Sequence, residues 1–191
     1  MTDFLLEWFA ALTALASVVL TVKRRISCWP VGLVSVIAYA VFFLRLKLYA
    51  DTGLQLFYFA TGLLGWWHWA RGGPDHGAAL IRILRPRERT LAGAVLLAGI
   101  ASLAWALARF TDASLPVWDS IASGLSVAAQ LFLMRKVLES WLLWIAVDVL
   151  SVGIYAFKHA WVTCGLYAVF LVLAVGGWMA WRAALSRGET V

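Results

Sequence analysis

The chain has 191 residues, of which 63% are hydrophobic and 14% charged, with a mean hydropathy of +0.86 and a formal net charge of +6. This balance excludes an ordinary soluble domain and makes the chain a polytopic membrane protein whose first partner is the lipid bilayer. In a soluble protein the positive charge would suggest nucleic acid, but here the basic residues sit in loops between apolar spans, so topology accounts for them and nucleic acid is not a partner.

Apolar runs bounded by charges predict seven helices, at about 4–22, 30–45, 51–70, 90–109, 118–134, 140–157 and 160–182. Asp3 and Glu7 precede or open the first run, and Lys23, Arg24 and Arg25 follow it. That polarity is the reverse of a cleaved signal peptide, so the run is expected to stay as a transmembrane helix. The second and fifth helices are short for a hydrocarbon core of ~30 Å, which suits packing inside a bundle. Pro30 and Pro116 sit at or just before helix starts, where a missing N–H does no harm.

Several helices carry a polar or aromatic face. On the second, Ser35 and Tyr39 lie one turn apart; on the third, Gln55, Tyr58, Gly62 and Trp66 share a face. The basic loop at about 71–89 opens on Gly72-Gly73-Pro74, a flexible start. Ser123, Ser126 and Gln130 make a stripe on the fifth helix. The sixth carries Trp144, Asp148, Ser151 and Tyr155 at spacings of four, three and four, and the seventh carries Tyr167, Phe170, Ala174 and Trp178. Serine, glutamine and single aromatics also serve as packing between helices. A carboxylate inside an apolar span is different, because leaving it unpaired in lipid is costly, and Asp148 is therefore the leading candidate for function.

Trp29, Trp69, Trp118, Trp141, Trp161 and Trp181 fall near helix ends and are expected to be interfacial anchors. Glu7, Asp51 and Asp119 fall at helix starts, where capping and the helix dipole explain a carboxylate. His68, His76 and His159 are scattered and receive no role. Cys28 and Cys164 are placed on opposite membrane faces, so neither a disulfide nor a metal site is expected. No phosphate-cradling loop, zinc motif or nucleophile elbow occurs, and no cofactor is expected.

The basic residues divide twelve on one side of the membrane to four on the other, the four being Arg45, Lys47, Arg109 and Lys158. By the positive-inside rule the N-terminus is expected outside and the C-terminus in the cytoplasm. Adding 112 to Trp29, Gly53, Leu54, Gly65, Trp66 and Trp69 gives Trp141, Gly165, Leu166, Gly177, Trp178 and Trp181, all identical and without a gap. Lys23-Arg24 likewise maps onto Arg135-Lys136. The fold expected is therefore all-α and integral to the membrane, one transporter domain over 1–191. Repeat one is at about 5–70, a linker helix at about 90–109 and repeat two at about 118–182. An offset of four crossings makes the two three-helix units parallel, a 3+1+3, SWEET-like arrangement. Between them a midplane pocket is expected, lined by aromatic planes, hydroxyls, amides and one negative charge, which suits a small flat ring compound and above all a cation.

The segments GLVSVIAYAVFFLRLKLYADTGLQLFYFATGLLGWWHW and VWDSIASGLSVAAQLFLMRKVLESWLLWIAVDVLSVGIYAFKHAW resemble the nicotinamide riboside transporter (PnuC) family, across about residues 5–182. The resemblance implies a bacterial inner-membrane facilitator of a water-soluble vitamin, with uptake driven by a cytoplasmic kinase that phosphorylates the substrate. Family members that carry nicotinamide riboside tend to have Asn at Ser35 and Asp148, and this sequence contains no Asn. Nicotinamide riboside leads on this reading, with thiamine, also a ring cation, close behind and neutral riboflavin third. The substrate-binding set expected is Asp148, Trp144, Tyr155, Ser151, Ser35, Tyr39, Gln55, Tyr58, Trp66, Ser126, Gln130, Tyr167 and Trp178. The competing classes are a membrane enzyme using Asp148 as acid or base, which lacks a paired group, and a scaffold subunit, which needs no buried polar faces. The sequence leaves open whether the chain forms a homo-oligomer.

Overall fold

The computed structural model describes residues 2–46, 49–72, 79–110, 116–157, 159 and 161–188. Lys47, Gly73, Pro74, His76 and Lys158 lie outside the described residues, as do the side chains of Asp3 and Asp51.

The described chain is helical: α1 (Thr2–Val22), α2 (Cys28–Arg45), α3 (Tyr49–Arg71), α4 (Pro86–Phe110), α5 (Pro116–Met134), α6 (Ser140–Phe157) and α7 (Trp161–Ser186). Each expected helix is present; α4 starts a turn earlier because Pro86-Arg87-Glu88-Arg89 is helical rather than loop, α7 runs about a turn further, and the other bounds differ by two residues or fewer. Six of the seven are long and apolar enough to cross a membrane; α3 is not among them. Thr52, Gln55, Thr61 and His68 lower the hydropathy of α3, which is otherwise the third of the seven helices expected.

The described residues form two compact units. Unit 1 takes residues 1–81, 134–136 and 179–191, and unit 2 takes 82–133 and 137–178. In unit 1, α2 lies against both α1 and α3. Ser17 Oγ donates to the Cys28 carbonyl at 2.8 Å, and Ser35 Oγ to the Ala10 carbonyl at 2.8 Å, so two serines join α1 to α2. Hydroxyl bonds of this kind hold helices together where the hydrophobic effect gives no preference between a neighbour and lipid.

Two helix ends are built alike. At the end of α1, Arg24 takes a positive φ of 60°, and Arg25 N–H reaches back to the Leu20 carbonyl at 2.9 Å. At the end of α5, Lys136 takes a φ of 55°, and Val137 N–H reaches the Phe132 carbonyl at 3.0 Å. Both are left-handed caps that satisfy orphan carbonyls. Arg24 and Lys136, like each of these donors and acceptors, are 112 positions apart.

Glycine at two positions has a steric reason. A Cβ on Gly65 would collide with the Trp29 ring, and one on Gly177 would come within 2.5 Å of the Trp141 ring. These two pairs are again 112 apart. In unit 2, the segment before α4 is held to the turn before α6. Leu138 N–H donates to the Arg82 carbonyl at 2.9 Å, Leu84 N–H to Glu139 Oε1 at 3.1 Å, and Arg89 Nη2 to the same oxygen at 2.9 Å.

Candidate substrate site

α6 presents the polar face that its sequence spacing predicts. Asp148 is 4% exposed and Ser151 5%, both fully inside, while Trp144 and Tyr155, a turn away on either side, are half-buried. Among the described residues, Asp148 has neither a hydrogen bond nor an ion pair. A buried carboxylate without a partner is costly, so a position that retains one calls for a ligand of opposite charge or a proton. Tyr155 is stacked on Tyr167 of α7, ring centres 5.4 Å apart at 13°, and Tyr167 meets Phe170 edge-on at 6.1 Å. Unit 2 thus joins the aromatic face of α7 to the end of the acidic face of α6.

The other expected residues are placed as follows. In unit 2, Trp178 and Gln130 are half-buried, and Ser126 Oγ donates to its own helix at the Ala122 carbonyl, 2.8 Å away. In unit 1, the Ser35 hydroxyl donates to α1, and Tyr39 is stacked on Phe43 at 5.7 Å and 15°. Gln55 and Tyr58 are half-buried, with Tyr58 against Phe57 at 5.6 Å, and Trp66 is 39% exposed. Among the described residues, no group of three or more His, Cys, Asp or Glu could hold a metal ion.

The family model described as "Nicotinamide mononucleotide transporter" matches residues 4–183. The chain belongs to this family. Its relatives include the nicotinamide riboside transporter PnuC of Escherichia coli, 26% identical over 96% of this chain and 89% of that protein. PnuC of Neisseria mucosa is 28% identical over 97% of this chain and 74% of that protein. The crystal structure of the vitamin B3 transporter PnuC superimposes with a TM-score of 0.77 at 27% identity, covering 98% of this chain and 85% of that one. Membership makes the chain a multi-pass membrane transporter of a small molecule and not an enzyme.

The tryptophans need a correction within this transporter frame. Trp118 and Trp161 are 50% and 64% exposed, as anchors would be, but Trp29, Trp69, Trp141 and Trp181 are 7%, 2%, 2% and 0% exposed. They are packing residues, because Gly65 and Gly177 leave room for the Trp29 and Trp141 rings and Trp69 meets Trp181 at 5.6 Å. The signal available was their recurrence at a fixed offset together with glycine. Lys136, expected as a loop charge, is 3% exposed and points inward.

Proposed function

We propose that this transporter carries nicotinamide riboside by facilitated diffusion, binding its pyridinium ring beside Asp148. The relatives named nicotinamide riboside transporters support the substrate, and the observation that carries the reading is the buried, unpartnered carboxylate of Asp148 on a face with Trp144 and Tyr155. A pyridinium is a flat, permanent cation: it satisfies the carboxylate by charge and the aromatic side chains by stacking and cation–π attraction. The same carboxylate opposes the phosphate of nicotinamide mononucleotide, so the riboside is the better fit of the two. The thiazolium of thiamine carries the same charge and is the second candidate; riboflavin lacks it.

Within unit 2 the binding set on this reading is Asp148, Trp144, Tyr155, Ser151, Tyr167, Trp178 and Gln130. Ser35 and Ser126 already donate to backbone carbonyls and serve chiefly as struts. The repeated turns at Arg24 and Lys136 and the repeated Trp–Gly pairs support a 3+1+3 duplication that rocks to alternate access. The distribution of basic residues supports an outside N-terminus in a bacterial inner membrane, with a cytoplasmic kinase trapping the vitamin. Titrating purified protein with nicotinamide riboside, thiamine and riboflavin tests the reading: the riboside binds tightest, and equal or tighter binding of riboflavin overturns it.

A further inference from the structure

Unit 1 contains a charged group that substrate binding does not use. The Lys136 amine donates to the Ala79 carbonyl at 2.7 Å and lies 4.8 Å over the Trp69 ring. Trp69 meets Trp29 edge-on at 5.4 Å and Trp181 at 5.6 Å, and the Trp181 indole N–H donates to the Thr21 carbonyl at 3.0 Å. The ends of α1, α3 and α7, the start of α2, the segment after α3 and the turn after α5 therefore meet at one buried cluster. Thr21, Trp29 and Trp69 come from the first of the two similar stretches of sequence, Lys136 and Trp181 from the second.

Two features keep this closure weak. Among the described residues no carboxylate accepts from Lys136; the ionisable groups acting on it are Arg24, of like charge, and the thiol of Cys28, and its contacts on α3 and the segment after it are the Trp69 ring and the Ala79 carbonyl. The Trp29 indole N–H is buried with no hydrogen-bond partner among the described residues. Desolvation of the amine therefore offsets part of what its bond to the Ala79 carbonyl and its contact with the Trp69 ring contribute.

We propose that this cluster is a gate of the carrier, shut in the conformation described, and that the charge on Lys136 keeps the closure breakable in each transport cycle. The proposal rests on the transport reading above. Burial, with Arg24 adding to it, lowers the amine from 10.5 to about 8. An opened, hydrated lysine holds its proton to higher pH, so protonation favours the open form and deprotonation the closed one.

Cys28, 3% exposed beside this cluster, is a native reporter once Cys164 is replaced by Ser. Alkylation by N-ethylmaleimide at fixed pH is measured in lipid nanodiscs with and without nicotinamide riboside, alongside binding by titration, thermal melting and liposome uptake. Saturating substrate should change the Cys28 rate. Lys136→Met should melt higher, label on the order of tenfold more slowly and transport more slowly, a tenfold shift being a modest change in a two-state equilibrium. Lys136→Arg, which keeps a charge, should label faster than Lys136→Met. The gate is overturned if substrate binds but leaves Cys28 labelling unchanged, if Lys136→Met melts lower than the parent, or if it transports at the parental rate. Failure of the parent to bind nicotinamide riboside overturns the transport reading, and the gate with it.

Discussion

At Asp148 the chain keeps a carboxylate in the middle of an apolar helix, 4% exposed and unpartnered among the described residues. Replacing it by Asn keeps shape and hydrogen bonding and removes only charge. Carriers of nicotinamide riboside that this chain resembles tend to have Asn at this position, so Asp148→Asn should weaken nicotinamide riboside binding by about tenfold at most, the loss of one charge-assisted contact, while leaving riboflavin binding unchanged. Titration calorimetry reads both, and equal losses for the two ligands would point to general damage to the site. Lys136 makes a second residue-scale prediction. Its amine is lowered to about 8 in the folded protein and returns to about 10.5 when unfolded, so between these values the unfolded chain binds more protons. Stability contributed by this group therefore rises with pH across that window, and the burial penalty is fully present below it. The parent should gain in melting temperature relative to Lys136→Met as pH rises from about 8 to 10, as thermal scans in matched buffers would show.

At the scale of elements, close packing rests on glycine meeting tryptophan. Gly177→Ala in α7 forces a Cβ into the Trp141 ring and should destabilise the protein by about 1–3 kcal/mol, the usual cost of overpacking. The same change at Gly176, where a Cβ meets nothing within 4 Å, should be neutral or slightly stabilising, and melting curves of the pair separate the two cases. The helices themselves were legible, because apolar runs ending in charges leave few other readings, and the acidic face of α6 was legible from spacing alone. What the sequence misread were Trp29, Trp69, Trp141 and Trp181, since tryptophan at a helix end suits a lipid interface and a packed core equally well. Pairing each with its glycine decides between them. The inward turn of Lys136 follows from a left-handed cap with φ of 55°, which no residue type at that position announces.

For the whole molecule, the sequence recurrence at an offset of 112 is matched by recurrence in the turns at Arg24 and Lys136 and in the Trp–Gly pairs, which is what supports the proposed duplication. Glu139, which holds the segment before α4 through Leu84 N–H and Arg89, ties the connecting chain to the start of α6. Glu139→Ala should cost about 1–3 kcal/mol by leaving a buried N–H unpaired, seen as faster amide exchange at residues 82–85 with transport retained. The central claim is carriage of nicotinamide riboside, and counterflow tests it most directly. Liposomes containing the purified protein and preloaded with unlabelled nicotinamide riboside should take up the radiolabelled compound saturably, and less so with Asp148→Asn. Uptake no greater than in protein-free liposomes, from protein shown to be folded, would contradict the account.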